Sequence, residues 1–270
     1  MKVVILCGGK GTRLNEETEF KPKPLVSIGG KPILWHIMKS YAHQGHKEFV
    51  LLLGYKSEHI KRYFMEHTWR SNNFCYDLKT NTVTHHEAKG IEDWKIHFVE
   101  TGLESQTALR LKKAQYLLEN DEQFMLTYGD GVSDVNVNEL IAFHNQTNSI
   151  GTITGFRPRS KYGVIDCEGH FVKKFKEKPL LNDLINGGFM IFNKEIFNHL
   201  DHRNVMLVDD TLPRLASFDK LTVRNHEGFW HCMDTYKDYK DLNKIWDSGN
   251  IPWKIWDLKP ANTSHQHLSN

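Results

Sequence analysis

The sequence is poor in the features that mark secreted, zinc-binding and membrane proteins. It has only four cysteines in 270 residues, and they are widely spaced, without a C-x-x-C pair. This spacing excludes the dense disulfide framework of small secreted domains and a zinc site built on cysteine pairs. No segment approaches the roughly 20 apolar residues of a membrane span, and the N-terminus lacks a signal-peptide layout. We therefore expect a cytoplasmic protein without a membrane role.

Neither sign of charge dominates the sequence. It has 35 lysines and arginines against 33 aspartates and glutamates, which gives a formal net charge of +2. Proteins that bind nucleic acid or acidic membranes usually carry a clear basic excess on one surface. The composition therefore gives no reason to expect a nucleic-acid partner.

The first half of the chain alternates short apolar runs with helical patterns. The apolar runs read as strands. Val3–Leu6 and Phe49–Leu53 read as strands buried on both faces, and Ile96–Val99 and Phe124–Tyr128 as further strands. The helical patterns run from Pro32 to about Gln44, from Ser57 to about His67, from Ser105 to about Leu118, and over Asn136–Gln146. This alternation predicts an α/β fold with a doubly wound, mixed, mostly parallel sheet of Rossmann-like type.

The second half of the chain is richer in predicted strands. Two of them, Tyr162–Asp166 and Phe171–Phe175, flank Glu168-Gly169 and read as a hairpin. The remaining elements are strands at Gly151–Phe156, Phe189–Phe192 and Leu221–Asn225 and helices at Asp209–Ser217 and Tyr236–Trp246. Without a linker-like segment, the sequence predicts one domain over residues 1–257 with a small β-rich lobe. The polar, aperiodic residues 258–270 are expected to form a flexible tail.

A glycine-rich loop, L-C-G-G-K-G-T-R-L at residues 6–14, follows the first strand. Such a loop presents unobstructed backbone N–H groups that suit a phosphate. It does not match a P-loop, which needs a lysine followed by Ser or Thr, and it lacks the third glycine of a dinucleotide fingerprint. The basic stretch F-K-P-K-P-L at residues 20–25 follows, stiffened by its prolines. Together the two stretches favour a polyphosphate ligand over a plain tight turn.

Ordered motifs along residues 1–257 give the sequence a family resemblance. They are G-G-x-G-T-R-L with K-P-K-P, G-G-K-P-I-L-W-H-I-M from Gly29, T-Y-G-D-G-V from Thr127, E-K-P from Glu177, I-N-G-G-F from Ile185, G-F-W-x-x-M-D-T from Gly228, and P-W-K from Pro252. The chain resembles the nucleotidyltransferases that join sugar 1-phosphates to nucleoside triphosphates, in particular their cytidylyl branch. The resemblance implies transfer of a cytidylyl group from CTP to a sugar 1-phosphate, with α-D-glucose 1-phosphate as the expected acceptor, and release of pyrophosphate. It also implies a homo-oligomer.

The chemistry of this reaction limits what the protein must supply. A phosphate dianion is already a nucleophile at neutral pH, so no general base is required. The enzyme has to hold two anions together and offset the charge passing to the leaving group. The resemblance implies that Mg²⁺ is held by Asp130 and Asp234, that Arg13 and Lys23 neutralise the triphosphate, and that Lys178 holds the acceptor phosphate.

The remaining site residues also come from the resemblance. The nucleotide would be lined by Leu6, Gly8, Gly9, Gly11, Thr12, Arg13, Lys23, Thr107, Arg110 and Asp130. The sugar phosphate would be bound by Lys178, Asn186, Gly187 and Asp209.

Two departures from the family pattern leave questions of specificity open. Ala108-Leu109 replace two glycines of an S-x-T-G-G-R motif. This replacement leaves open how closely the backbone packs in this region and which base the protein selects. Asp209 stands where glucose-specific members show W-E-x-x-P-L, so another sugar or polyol phosphate is the alternative acceptor.

Two other classes of protein, and one structural alternative, also stay open. A glycosyltransferase would typically show D-x-D, but Asp130-Gly131-Val132 lacks the second acid. A catalytically idle binding module would not need the charged motif residues, so their presence in this sequence argues against it; they are Arg13, Lys23, Asp130, Lys178 and Asp234. Finally, the tryptophans Trp246, Trp253 and Trp256 fit either a subunit interface or the chain's own core.

Overall fold

The computed structural model describes residues 1–86 and 91–257. The predicted tail at residues 258–270 lies outside the described residues. The strands are β1 (Val3–Leu6), β2 (Ser27–Ile28), β3 (Lys31–Pro32), β4 (Glu48–Leu53), β5 (Phe74–Asp77), β6 (Thr82–His85), β7 (Lys95–Glu100), β8 (Gln123–Tyr128), β9 (Gly131–Ser133), β10 (Gly151–Phe156), β11 (Val164–Glu168), β12 (Phe171–Lys176), β13 (Ile185–Asn193), β14 (Leu221–His226) and β15 (Trp230–Cys232). The helices are α1 (Asn15–Thr18), α2 (Ile33–His43), α3 (Ser57–Ser71), α4 (Thr107–Lys113), α5 (Val137–Asn145), α6 (Leu212–Ser217) and α7 (Tyr236–Asp247).

The central sheet has seven strands in the order β14–β10–β13–β8–β1–β4–β7. The pairs β1–β4, β1–β8, β4–β7 and β10–β14 are parallel. The strand β13 runs antiparallel to both of its neighbours, β10 and β8. The predicted mixed, mostly parallel α/β sheet is thereby confirmed.

Both faces of the sheet are covered, which explains why its inner strands are apolar throughout. All four residues of β1 are buried, and so are the residues of β4 from Phe49 onward. One core cluster joins alternate strand residues to α2, α5 and α7, and the other joins the remaining residues to α4 and α6. A parallel strand between two helical layers has no polar face, and continuous apolar runs are the result.

Two predicted helices have different ends in the structure. The helix predicted from Ser105 to about Leu118 is α4, Thr107–Lys113, followed by a 3₁₀ turn at Gln115–Leu117. The helix predicted from Asp209 begins as one π turn, Leu207–Thr211, and becomes α-helical only at Leu212. The N-terminal ends of the two regions are hydrogen-bonded to each other: Ala108 N donates to Val205 O, and Leu207 N donates to Thr107 Oγ1. These bonds set the starting residues of both helices.

The sheet brings the loops that follow β1 and β8 to the same edge. In the register of this parallel pair, Leu6 lies beside Tyr128. Ligands of open α/β sheets bind at the carboxyl edge of the strands, so this is where a site is expected. Among the described residues, no helix is long and apolar enough to cross a membrane.

Candidate active site

A cavity of about 630 Å³ opens at the carboxyl edge of β1 and β8. Its walls come from the glycine loop, the 3₁₀ turn Lys23–Leu25, the segment leading into α4, and the ends of β8 and β15. It is lined by residues 6–13, 103–107 and 128–130 together with Lys23, Pro24, Arg110, Met206 and Asp234. Every residue that the resemblance assigns to the nucleotide or the metal therefore lies on this one cavity.

Two carboxylates of the cavity converge on one ammonium group. Lys23 Nζ lies 2.5 Å from Asp130 Oδ2 and 2.6 Å from Asp234 Oδ1. The aspartates are 104 residues apart in the sequence, and a β-ladder joins them. Strand β15 pairs with β9 so that Cys232 lies opposite Gly131, and Met233 N donates to Asp130 O at 2.9 Å. The ladder thus fixes the position of Asp234 beside Asp130.

The ion pairs shift the protonation equilibria of these groups. Burial by itself lowers the pKa of Lys23, but the charge and hydrogen bond of Asp130 and the hydrogen bond of Asp234 outweigh it, and the pKa lies above its usual value. Burial raises the pKa of Asp234, but its hydrogen bond and charge interaction with Lys23 outweigh this, and the pKa lies below its usual value. Both groups are therefore charged at neutral pH.

A third potential metal ligand lies beside the two aspartates. Ligand atoms of Asp130, Cys232 and Asp234 all lie within 4.8 Å of one another. Carboxylate oxygens suit Mg²⁺, whereas a thiol suits softer ions. Burial raises the pKa of the Cys232 thiol, with Asp130 adding to the effect, so the thiol is protonated near neutral pH.

The glycine loop is held in shape by bonds outside the cavity. Gly11 has a φ of +65°, and its carbonyl accepts a hydrogen bond from Thr18 Oγ1 at 3.1 Å. Thr12 and Arg13 follow on the exposed rim, where Arg13 lies 3.8 Å from Asp234. Lys21 pairs with Glu17 at 3.1 Å and does not line the cavity, so Lys23 is the lysine of K-P-K-P that faces the site.

Arg110 lies beneath the glycine loop with its guanidinium buried. Its NH1 donates to the Leu53 and Gly102 carbonyls, each at 2.9 Å, and its NH2 donates to Gly8 O at 3.0 Å. The side chain ties the glycine loop to the end of β4 and to the loop after β7. Its role toward the nucleotide stays a prediction, and these bonds give it a structural role as well.

Two of the predicted sugar-phosphate residues lie next to the cavity wall. Asn186 is the second residue of β13 and hydrogen-bonds Tyr128, whose pKa burial raises to about 12. Gly187 O accepts a hydrogen bond from Trp230 Nε1 at 2.9 Å, and a Cβ at Gly187 would overlap the Phe156 ring. Asn186 and Gly187 thus flank the cavity on the side of Tyr128 and β15.

The structure does not bring the other two sugar-phosphate residues to the cavity. The side chain of Lys178 is 60% exposed, 3.6 Å from Glu177, and its backbone has a φ of +44°. Asp209 is exposed on the π turn Leu207–Thr211, and its neighbour Asp210 forms the ion pairs with Arg203 and Arg214. Neither residue lines the cavity.

The sequence-based assignment did not include Cys232, which lies beside the two aspartates, or Tyr128 and Met206, which line the cavity. Cys232 precedes Asp234 by two positions, so the two-residue period of a strand could have placed both on one face. Tyr128 is the last residue of β8 and directly precedes Gly129-Asp130, so its place at the carboxyl end of a predicted strand could have identified it. Met206 has no such signal, because the segment that carries it is 99 positions from Thr107, its contact at the cavity wall.

The arrangement can bind an anion and a cation together. Arg13, Lys23 and the open N–H groups of the glycine loop suit phosphate oxygens. Asp130 and Asp234 would hold a divalent cation, which would supply positive charge beside those oxygens. Among the described residues that line the cavity there is no histidine to act as a general base, which fits a reaction whose nucleophile is already ionised.

Known proteins share both the sequence and the fold. A family model described as "Nucleotidyl transferase" matches residues 2–247. A Bacillus subtilis (strain 168) protein named probable glucose-1-phosphate cytidylyltransferase is 45% identical over 258 residues, covering 95% of this chain and 100% of the relative. The glucose-1-phosphate cytidylyltransferase of Salmonella typhi is 40% identical with the same coverage.

A solved structure shows the same fold at lower identity. The crystal structure of HddC from Yersinia pseudotuberculosis matches with a TM-score of 0.67 and 24% identity, covering 91% of this chain and 99% of that chain. Because the family model spans most of the sequence and the relatives match over their whole length, the chain belongs to the nucleotidyl transferase family.

Proposed function

We propose that the protein transfers a cytidylyl group from CTP to α-D-glucose 1-phosphate, giving CDP-glucose and pyrophosphate. The observation that carries this proposal is the 40–45% identity to glucose-1-phosphate cytidylyltransferases over 95% of the chain. The geometry supports it, because the motif residues for the triphosphate and the metal converge on one cavity.

The proposed metal is Mg²⁺, held by Asp130 and Asp234. One oxygen of each carboxylate lies within 2.6 Å of the same cationic atom, Lys23 Nζ, so the two side chains already converge on a point of positive charge. Oxygen donors at such a point are the ligands that Mg²⁺ prefers. When bound, the ion supplies positive charge beside the phosphates. The residues fit this group.

The chain's own residues would bind and orient the two substrates. Arg13 and the N–H groups of the glycine loop hold the triphosphate, and Lys23 leaves its carboxylate partners to offset the charge of the phosphates. Asn186 and Gly187 lie on the acceptor side, next to Tyr128. A phosphate oxygen of the sugar phosphate attacks the α-phosphorus in line, and the bond to pyrophosphate breaks.

Other features of the proposal follow the family resemblance. Lys178 would reach the acceptor phosphate from its exposed position, and the assembly would be a homo-oligomer. Asp209 would likewise contact the acceptor from its exposed position, and this role stays a prediction. The single domain over residues 1–257 and the cytoplasmic location stay predictions.

The proposal is tested by measuring pyrophosphate release with each of the four ribonucleoside triphosphates against a panel of sugar and polyol phosphates. We expect the highest kcat/KM for CTP with glucose 1-phosphate. Asp130→Ala and Asp234→Ala should each abolish turnover without unfolding the protein. Asp247→Ala, which removes an exposed carboxylate outside the cavity, should keep its turnover. Absence of release with every pair would contradict the proposal and favour an idle binding module.

A further inference from the structure

A short segment from the second half of the chain forms one wall of the cavity. This segment, residues 204–207, is called the strap. Asn204 Oδ1 accepts from Gln106 N at 2.7 Å, and Asn204 Nδ2 donates to Glu104 O at 2.9 Å. Val205 O accepts from Ala108 N at 3.2 Å. These bonds fix the strap across the N-terminal end of α4.

The strap is also bonded through Thr107. Leu207 N donates to Thr107 Oγ1 at 2.7 Å, and Thr107 Oγ1 lies 3.9 Å from Met206 Sδ within sulfur hydrogen-bonding range. Two backbone N–H groups at the start of α4, those of Gln106 and Ala108, are occupied by the strap. They are therefore not free to bind phosphate, and this end of the cavity is shaped for another part of the ligand.

Of the strap residues, Met206 is the one that lines the cavity. The charges of the cavity lie mostly elsewhere: Lys23 and Arg13 are grouped with Asp130 and Asp234. Near the strap, Glu104 is paired with Lys10 at 2.8 Å. A triphosphate is drawn to the cationic group, which leaves the end formed by residues 103–107 and Met206 for the base.

We propose that Met206 determines the size of base that the enzyme accepts. Its side chain fills the space beside a pyrimidine, and the second ring of a purine would have to displace it. The strap bonds hold its backbone, so the wall cannot retreat without breaking them. This inference rests on the proposed function, since it assumes that CTP binds in the cavity with its phosphates at Lys23.

The physical basis is steric exclusion of a competitor. A rigid wall discriminates by clashing with the wrong ligand as much as by contacting the right one. Apolar pockets discriminate between ligands of different size by about tenfold to a few hundredfold. Met is adaptable when free, so the bonds of the strap are needed to make it selective. Ala108, one of the two residues that replace motif glycines, donates its backbone N–H to the strap at Val205 O.

The test compares kcat/KM for CTP, UTP, ATP and GTP in four variants. Met206→Ala should raise the ratio of ATP to CTP by about tenfold or more, because a cavity opens beside the base. Asn204→Ala, which removes two bonds of the strap, should raise the same ratio to a smaller extent. Met206→Leu, which conserves volume, and Met65→Ala, an exposed methionine on α3, should leave it unchanged.

Unchanged ratios in both Met206→Ala and Asn204→Ala would overturn the inference, as would a wild-type protein that accepts ATP as readily as CTP. Calorimetric dissociation constants for CTP and ATP give the same ratio without turnover. Failure of the transfer reaction and failure of the steric role are therefore distinguishable.

Discussion

Lys23 holds the ligand-free site together by neutralising two carboxylates that would otherwise repel each other. Its ammonium lies between Asp130 and Asp234, while Arg13 lies on the outer side of Asp234. Lys178 is well removed from this group, with most of its side chain in solvent. The positive residues therefore fall into two sets, one at the cavity and one outside it.

This division predicts separate effects of two substitutions. Arg13→Ala should weaken CTP binding first, because it removes a cation beside the carboxylates. Lys178→Ala should raise the KM for the sugar phosphate and lower kcat, with little change in CTP binding. Loss of one charge-assisted contact costs about 1.5–3 kcal/mol, which corresponds to at least about tenfold in affinity. Calorimetric titration of CTP into both variants measures the split, and equal weakening of CTP in the two would refute it.

His36 predicts a pH-dependent stability outside the site. Its ring is fully buried, Nε2 lies 2.9 Å from Ile28 O, and burial lowers its pKa from 6.5 to about 4. The unfolded chain therefore binds a proton below about pH 6.5 that the folded protein resists until about pH 4. The stabilisation is complete above pH 6.5 and is lost as the pH falls toward 4, by about 3 kcal/mol in total.

Urea unfolding of the wild type and His36→Gln between pH 7 and pH 4 tests this. The glutamine keeps a neutral amide near Ile28 and does not titrate, so the difference between the two proteins isolates His36 from other histidines. We expect the free energy of unfolding of the variant to fall less over this range. Parallel curves for the two proteins would show that His36 is not responsible.

The helix that carries His36 also organises the tryptophans. Trp253 is 1% exposed and stacks on Phe229, Trp246 packs on His36, and Trp256 packs on Trp35. Of the two alternatives that the sequence left open, the structure shows packing on the chain's own core. The tryptophans therefore give no support to an oligomer, which stays a prediction from the family resemblance.

The turn between β2 and β3 provides a matched test of this packing. Gly29 and Gly30 both have a positive φ, +56° and +81°, so alanine is strained at either position by about 1–2 kcal/mol. A Cβ on Gly29 would overlap the Trp246 ring, whereas a Cβ on Gly30 has no neighbour within 4 Å. Gly29→Ala should therefore destabilise the protein by a further 1–3 kcal/mol or so. Equal losses in urea unfolding would contradict the close contact.

The elements that the sequence predicted are those with a local signal, such as a continuous apolar run or a glycine turn. β1, β4 and β8 are buried on both faces, and the hairpin β11–β12 has a glycine turn at Gly169 with a φ of +58°. The ladder of β9 and β15 escaped prediction because its strands have three residues each and are almost 100 positions apart. That same ladder joins Asp130 to Cys232, so the part of the site that depends on it was predicted only through family motifs.

One surface of the whole molecule is unusually apolar for its exposure. The hairpin β11–β12 has both faces exposed, and its exposed residues include Phe171 and Phe175, at 75% and 66%. Exposed apolar groups of this kind commonly mark association surfaces. We expect light scattering to give a mass above that of the monomer at micromolar concentration, and Phe171→Ser with Phe175→Ser to lower it. A monomeric wild type would contradict the predicted homo-oligomer.

The proposed reaction is tested by phosphorus NMR of one mixture containing the protein, Mg²⁺, CTP and α-D-glucose 1-phosphate. We expect the signals of both substrates to decline together while those of pyrophosphate and the diphosphate diester of CDP-glucose grow in equal amounts. We expect no reaction with Asp130→Ala under the same conditions. Unchanged substrate signals, or release of pyrophosphate from CTP with glucose 1-phosphate left intact, would contradict the proposed reaction.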